Sequence, residues 1–462
     1  MALETVKLIY GKGEVEFRVD SAFMAGPVVD TRKPGVPPRP ALEAIAGSLK
    51  NPVGRPQLRE MARGKVVGIL ISDEFRAGLQ KEIASALIVE AAAGAPREIR
   101  VFVATGSHDP AVYAKNLKPF IEDCLGKVPV PSRLILHDCD KSELVEIGRT
   151  PGGTIIKIEK PLLECDLRVY GHEAKHHYMC GYSNMDKQIV PGVSSRITIE
   201  MNHKNSLDHE HAIAGRSPWQ QNVARRFNPF AVDASHGRAL SEAFWLSPDG
   251  MLTARRVDTY GLEMVSDKDK VYWINSGDPA TISYEMTGIA DSLAAYELQK
   301  TRYVMISPGG PPACTALYGV QNCFDMALKG AIMDGGEALV IAPCNGREDL
   351  PPDVKGLAPD AKSKALFWDN LVKMRDWPLE KCVGFIDAHF ELYLWKTDRV
   401  LKLFKANNVK MYMYCDLPAE LLASAGITKV DDIQKWVDER AKRGDGKVRV
   451  VNNGNKLLIT PV

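Results

Sequence analysis

The sequence predicts an α/β protein of two domains, each built on a mainly parallel sheet flanked by helices, with the active site in the cleft between them. The chain has 462 residues, which is too long for one compact core. Short apolar runs alternate with segments of helical period, as in βαβ units. The alternation stops in mid-chain and resumes near Thr301. We therefore predict domains of residues 1–295 and 296–462.

Apolar patterning predicts the elements of the first domain. Alternating apolar residues from Val6 to Val19 predict a β-hairpin that turns at Gly11-Lys12-Gly13. Residues 66–71 form a continuous apolar run, typical of a strand buried on both faces. The other expected elements are helices at 79–89 and 112–124 and strands at 99–104, 133–137 and 166–170.

The second domain repeats the alternation of strands and helices. The expected strands are 303–307, 338–342 and 409–415, and the expected helices are 316–333, 392–406 and 432–443. Between the domains, residues 205–295 show no periodicity that assigns them to elements.

Composition excludes several classes of protein. Hydrophobic residues make up 45% of the chain, charged residues 25%, and the net charge is +1. These values suit a soluble enzyme and give no electrostatic case for nucleic acid or an anionic membrane. No apolar run is long enough to span a bilayer, and the amino terminus lacks the apolar segment of a secretory signal. Nine cysteines without C-x-x-C spacing indicate reduced thiols. We expect a cytoplasmic protein.

Candidate functional side chains follow three of the predicted strands. Asp73 and Arg76 come after the first core strand, His108 after the second, and His172 to His177 after the fourth. In open α/β sheets, ligands bind outside the carboxyl ends of the strands, so these side chains should meet at one edge. Taken singly, each has a structural explanation, such as a helix cap or a surface ion pair. Their common placement favours a site.

A second motif, His172-Glu173-x-x-His176, matches the H-E-x-x-H pattern of zinc hydrolases. That chemistry needs a helix, whereas this segment directly follows a predicted strand, and Gly181 soon interrupts it. The expected glycine after the motif is replaced by Met179. A zinc metallohydrolase therefore stays an alternative. No G-x-G-x-x-G follows a strand, so a nicotinamide fingerprint is absent.

Five separated motifs occur in a fixed order over most of the first 210 residues. They are Ser72-Asp73-x-x-Arg76, Ala104-Thr105-Gly106-Ser107-His108, His177-x-x-x-Gly181-Tyr182-Ser183, Lys187-x-x-x-Pro191-Gly192 and Asn202-His203. Together they resemble lactate racemase and its homologues, a family of 2-hydroxy acid racemases and epimerases.

The resemblance implies a nickel pincer nucleotide as cofactor, a pyridinium-3-thioamide-5-thiocarboxylic acid mononucleotide that carries nickel. Lys187 matches the lysine that holds it covalently, and His203 matches the histidine that completes the nickel coordination. Planar four-coordinate nickel(II) suits that donor set. Asp73 is assigned to the cofactor pocket, where it could orient Arg76 or a histidine. Cofactor biosynthesis enzymes are the implied partners.

By the same resemblance, His108 and His177 are the catalytic acid/base pair, one for each enantiomer. The α-hydrogen would leave as hydride to the cofactor and return to the opposite face, through a transient 2-keto acid. Arg76 would bind the substrate carboxylate, for which its planar fork is suited. A non-catalytic carrier of the cofactor is a further alternative, although it would need neither the bases nor the arginine.

The second domain is expected to complete the substrate site with Gln321 and Asn322. Where the lactate enzymes have a glutamine and then a lysine, this chain has Gly319 and Asn322. Loss of the lysine removes a cation, and glycine in place of glutamine should make room. These changes predict a substrate larger or more polar than lactate, such as an aldonate. Trp368 and Trp395 are candidates for a tryptophan that lines the pocket.

Overall fold

A computed structural model of the chain describes residues 3–32, 37–74, 78–207, 229–267, 269–345 and 359–462. The strands of the first half are β1 (Leu3–Tyr10), β2 (Gly13–Asp20), β3 (Arg39–Pro40), β4 (Val66–Ser72), β5 (Glu98–Ala104), β6 (Ser132–Leu136), β7 (Leu144–Arg149), β8 (Ile155–Glu159), β9 (Leu167–Glu173), β10 (Lys175–His177), β11 (Gly181–Ser183), β12 (Phe244–Leu246), β13 (Leu252–Ala254), β14 (Asp258–Asp267) and β15 (Lys270–Gly277). The helices there are α1 (Ala41–Lys50), α2 (Leu58–Ala62), α3 (Gln80–Ala92), α4 (Pro110–Tyr113), α5 (Leu117–Gly126), α6 (Lys160–Leu163), α7 (Asp186–Ile189), α8 (Arg196–Lys204), α9 (Pro229–Ala243) and α10 (Pro279–Ala294).

The second half continues the alternation. Its strands are β16 (Ala295–Leu298), β17 (Thr301–Ile306), β18 (Ile332–Ile341), β19 (Lys410–Tyr414), β20 (Thr428–Lys429), β21 (Val448–Val451) and β22 (Leu458–Pro461). Its helices are α11 (Leu317–Cys323), α12 (Lys329–Ala331), α13 (Pro359–Met374), α14 (Leu379–Ala388), α15 (Leu394–Lys405), α16 (Ala419–Ser424) and α17 (Ile433–Arg443), with a π-helical turn at Phe324–Leu328 and a 3₁₀ turn at Gly454–Lys456.

A seven-stranded sheet organises the first half, in the order β3-β15-β14-β9-β4-β5-β6. Strands β14, β9, β4, β5 and β6 are parallel, and β15 and β3 extend the edge in antiparallel fashion. Every residue of β4 is buried, as its apolar run predicts. One face packs on α3 through Ile83 and Leu87, and the other packs on Leu162 and Ile189. The carboxyl ends of the parallel strands therefore lie along one edge.

A five-stranded, fully parallel sheet organises the second half, in the order β20-β19-β18-β17-β21. The predicted class, α/β with mainly parallel sheets flanked by helices, is confirmed. The amino-terminal hairpin forms as predicted, but its apolar face packs on this second sheet, where Leu8 and Phe17 cluster with Tyr303 and Leu339. The boundary at residue 295 remains a prediction.

Two predicted helices differ from the structure. The segment at 112–124 is divided between α4 and α5. The helix expected at 316–333 leaves regular geometry at Phe324, and its last two residues begin β18. Gly330 allows β22 to approach the last helical turn closely, because a Cβ there would lie 1.9 Å from the Ile459 carbonyl oxygen. Within the described ranges, no helix combines the length and apolar character needed to cross a membrane.

Candidate active site

The first pair of predicted residues meets at the ends of β4 and β5. Asp73 follows β4, is 1% exposed, and places Oδ2 2.6 Å from Nδ1 of His108. The carboxylate accepts a hydrogen bond from the Nδ1–H group, so the lone pair of the His108 imidazole resides on Nε2. Asp73 therefore contacts a histidine, in agreement with the suggestion that it orients one. Its described hydrogen bond is to His108 and not to Lys187, the predicted attachment point of the cofactor.

The second pair meets beyond β9. Lys187, on the short helix α7, is 7% exposed, and its Nζ lies 2.6 Å from Nε2 of His177. His177 is 2% exposed, and its Nδ1 accepts hydrogen bonds from the backbone N–H groups of Met179 and Cys180, at 3.2 and 3.4 Å. Lys187 is therefore not an exposed charge, and the carboxylate of the neighbouring Asp186 accepts from Arg238.

Backbone contacts connect these two pairs. The amide of Gly106, in the loop that carries His108, donates to the carbonyl of Gly192 at 2.9 Å. The amide of Gly192 in turn donates to the Lys187 carbonyl at 2.9 Å. The side-chain amide of Gln188 donates to backbone carbonyls of β4 and β9, at 3.2 and 2.6 Å, which fixes α7 against the sheet. The histidine loop and the lysine helix are thereby held together.

His203 lies on α8 and approaches the same site through Phe230. Its Nδ1–H donates to the Ile199 carbonyl at 2.8 Å, so Nε2 carries the lone pair that a metal would use. The His203 ring packs edge-on against Phe230 at 5.1 Å, and Nζ of Lys187 lies 5.9 Å from the same ring. Phe230 is therefore a shared wall between the predicted lysine and the predicted metal ligand.

The second half reaches the site through aromatic rings. Tyr178 stacks on His177 at 4.2 Å between ring centroids and on Trp395 of α15 at 5.3 Å. The neighbouring Lys396 is 2% exposed and donates to Oδ1 of Asn322 at 2.9 Å. Asn322 thus lies near the site, and Lys396 of α15 places a cation beside it.

Two other predictions for the second half are corrected. Gly319 does not open space, because a Cβ there would lie 3.2 Å from the Ala313 carbonyl oxygen. Gln321 is fully buried and donates to Asp325, which also pairs with Lys329 and Arg399. It belongs to an internal ionic cluster instead of an open substrate surface. Arg76 lies outside the described residues.

The H-E-x-x-H residues do not form a metal centre. His172 and Glu173 end strand β9, and His176 lies on β10. Nε2 of His172 lies 3.0 Å from the Ser183 hydroxyl, Glu173 accepts from the Leu79 amide, and Nε2 of His176 lies 2.8 Å from Asp291. In the part of the chain that the structure describes, no three His, Cys, Asp or Glu side chains converge to hold a metal.

Sequence reasoning missed three residues of this site. Tyr178 directly follows a predicted base, and Lys396 directly follows a candidate tryptophan, so proximity in sequence could have indicated both. Phe230 lies in the stretch without periodicity, and no sequence signal pointed to it.

Comparison with known proteins identifies the first half. Residues 10–215 match the model of the lactate racemase N-terminal domain. A lactate racemase of Lactiplantibacillus plantarum is 28% identical over 205 residues, which is 44% of this chain and 47% of that protein. The alignment therefore spans about half the length of that relative. A lactate racemase of Thermoanaerobacterium thermosaccharolyticum is 22% identical over 348 residues, covering 74% of this chain and 75% of that protein.

Similar folds occur among solved structures. The lactate racemase apoprotein from Thermoanaerobacterium thermosaccharolyticum aligns with a TM-score of 0.77 and 20% identity, over 98% of this chain and 99% of that one. A Thermotoga maritima protein from a structural genomics consortium aligns with a TM-score of 0.60 and 12% identity, over 91% and 97% of the two chains. Both likenesses concern the fold. Residues 10–215 are thus similar to the lactate racemase N-terminal domain, and the chain as a whole shares its fold with a lactate racemase.

Proposed function

We propose that this chain is a racemase or epimerase that inverts C2 of a 2-hydroxy acid with a nickel pincer nucleotide. The observation that carries the proposal is the connected arrangement of Lys187, His177, His108 and His203. These residues stem from four separate motifs, and the contacts described above link them to one another.

The residues present fit the cofactor. A buried amine at Lys187 is suited to a covalent attachment, and it shares the Phe230 wall with an imidazole that is fixed through Nδ1. Lys187 would hold the nucleotide, and His203 would supply the one nickel ligand that comes from the protein. When bound, the cofactor supplies the acceptor and donor for hydride.

The chain's own residues manage the hydroxyl proton and the substrate's position. His108 accepts or returns that proton at Nε2 for one enantiomer, because Asp73 holds its Nδ1–H. His177 serves the other enantiomer. Arg76 is proposed to bind the substrate carboxylate. His177 is buried and stacked on Tyr178, which limits the access of water to that side of the site.

The substrate is proposed to be more polar than lactate, and aldonate-like. Asn322 and Lys396 present an amide and an ammonium group beside Tyr178, where additional substrate hydroxyls could accept and donate hydrogen bonds. The proposal no longer depends on extra space at Gly319.

The test is co-expression of the chain with the cofactor biosynthesis enzymes, followed by intact-protein mass and nickel analysis. Loaded enzyme is then incubated with 2-deuterated lactate and 2-deuterated aldonates, and inversion is followed by chiral chromatography. We expect an adduct on Lys187, one nickel per chain, faster inversion of an aldonate and deuterium retained at C2. Inversion by Lys187→Ala, or exchange of the deuterium with water, would contradict the mechanism. Faster inversion of lactate would contradict the substrate class alone.

The carrier alternative is tested with the same loaded protein. His108→Ala should abolish inversion while the adduct mass stays the same. A carrier has no inversion to lose, so a wild-type chain with full adduct and no inversion would favour that alternative.

A further inference from the structure

The contact between Lys187 and His177 joins the predicted attachment point to a predicted catalytic base. The two side chains are ten residues apart in sequence, both are buried, and Nζ lies 2.6 Å from Nε2. The imidazole is held from its other side, because Nδ1 accepts from the amides of Met179 and Cys180. This geometry constrains which protonation states can form the bond.

A neutral imidazole carries one N–H group. Since Nδ1 of His177 accepts, the proton resides on Nε2, and Nε2–H must donate to its neighbour. Only an uncharged amine has a lone pair with which Nζ of Lys187 can accept that bond. A charged ammonium would need an acceptor at Nε2, which would move the imidazole proton to Nδ1 and oppose the two backbone donors.

We propose that His177 has a role before turnover: it holds Lys187 as the neutral, nucleophilic amine that forms the bond to the cofactor. The identity of the cofactor rests on the proposed function, whereas the state of the amine rests on the contacts around His177. His177 is then both a loading residue and an acid/base residue.

The attachment balances as a condensation without oxidation or reduction. The amine lone pair of Lys187 forms a bond to the carbon of a thiocarboxylic acid group of the nucleotide, and the C–O bond of that group breaks. The oxygen leaves as water with one amine proton and the thiol proton, while sulfur stays on carbon as the thioamide. The thioamide nitrogen is a poor acceptor, so the Nε2–H group of His177 is released and can donate to the substrate oxygen.

The first experiment uses the chain without cofactor and measures the reactivity of each lysine by competitive labelling with acetic anhydride and peptide mass mapping. We expect His177→Gln to lower labelling of Lys187 at least tenfold, because a carbonyl oxygen facing Nζ favours the ammonium form. His177→Asn should have the same effect. Its amide oxygen can accept the two backbone hydrogen bonds that Nδ1 accepts, but the variant has no atom in place of the Nε2–H donor. His108→Gln is the matched control and should leave Lys187 labelling unchanged.

Lys329 reports the fold in the same digest, because its side chain is 3% exposed and pairs with Asp325. Lys329 should stay protected in every variant. Labelling of Lys187 at the wild-type rate in both His177 variants, with Lys329 protected, would overturn the proposal.

The second experiment follows adduct mass at Lys187 during co-expression with the cofactor biosynthesis enzymes. We expect the adduct on wild-type chain and on His108→Gln, with at least tenfold less on His177→Gln. If wild type gains no adduct but the labelling result holds, the proposed function fails and the activated amine stands. Equal adduct on wild type and His177→Gln would overturn the loading role while leaving the proposed function intact.

Discussion

His108 illustrates what a single hydrogen bond contributes at the scale of one residue. Because Asp73 accepts from Nδ1, the imidazole presents Nε2 as a base. Asp73→Asn can donate from its amide to Nδ1 and so place the proton on the wrong nitrogen. We expect turnover of loaded enzyme to fall by roughly 10²–10⁴-fold.

Adduct mass and nickel content are the controls for Asp73→Asn, and both should match wild type, since Asp73 does not contact Lys187 among the described contacts. Turnover within about twofold of wild type, a change far smaller than that expected fall, would show that the tautomer of His108 is not controlled by this carboxylate.

Glu173 separates the two enzyme hypotheses. Burial raises the pKa of its carboxyl, although hydrogen bonds from Ser266 and the Leu79 amide act in the opposite direction. A raised folded-state pKa means that this group favours folding most below the ordinary value of 4.5 and loses that contribution as pH rises. Glu173→Gln should therefore equal or exceed wild type in Tm at pH 7, with the difference shrinking in acid.

The same variant should invert substrate at the wild-type rate, measured on loaded protein by chiral chromatography. Loss of inversion with retained Tm and nickel would show that Glu173 takes part in turnover.

The sequence predicted which loops share an edge, but not which side chains pair. The carboxyl-end rule brought Asp73 and His108 together, and it placed His177 near them. It could not show that Lys187 would contact His177, because that bond depends on how the β10–β11 hairpin folds back on α7.

At the scale of elements, Gly192 holds α7 in place. A Cβ at this position would lie 2.4 Å from the Gln188 carbonyl oxygen and 2.7 Å from that of Lys187. Gly192→Ala must move backbone, and we expect it to destabilise the fold by about 1–3 kcal/mol and to slow adduct formation. Denaturant unfolding and adduct mass measure the two effects.

Gly47 provides the matched control, since it lies inside α1 and a Cβ there meets nothing within 4 Å. Gly47→Ala should be neutral or stabilising by up to about 1 kcal/mol. Equal behaviour of the two variants would argue against a tight turn at Gly192.

Elements were predictable where burial and apolar character coincide. Strand β4 reads as one apolar run and is buried throughout. Residues 259–265 of strand β14 are also buried, yet they include Thr259, Gly261 and Glu263, and the Glu263 carboxylate accepts from Ser283. Polar residues satisfied by distant partners remove the periodic signal, which is why residues 205–295 could not be assigned.

At the scale of the whole molecule, a buried ionic cluster joins the second half to the segment that follows helix α8. Asp325 pairs with Lys329 at 3.1 Å and Arg399 at 3.5 Å, and Arg399 also donates to the Ser206 carbonyl just beyond α8. Burial acts to raise the pKa of Asp325, but Lys329 and Arg399 outweigh it and hold that pKa below its ordinary value.

A lowered folded-state pKa contributes stability above the ordinary value of 3.8 and loses it as pH falls through the folded value. Asp325→Asn should therefore cost about 3–5 kcal/mol at pH 7, because it leaves buried cations without their anion. The free energy of unfolding measures this cost, which should shrink in strong acid.

Asp376→Asn, at the exposed pair with Arg375, is the control and should cost no more than about 1 kcal/mol. A cost for Asp325→Asn as small as that would show that the cluster contributes little to joining the two halves.

The hairpin β1–β2 makes the two halves interdependent in a way that cutting the chain at residue 295 would reveal. An isolated fragment 1–295 would expose Leu8 and Phe17 to water, and an isolated fragment 296–462 would uncover Tyr303 and Leu339. Each fragment would aggregate because this apolar surface is exposed. A circular permutant would begin between residues 30 and 37 and carry the hairpin after residue 462. We expect the chain to tolerate this rearrangement.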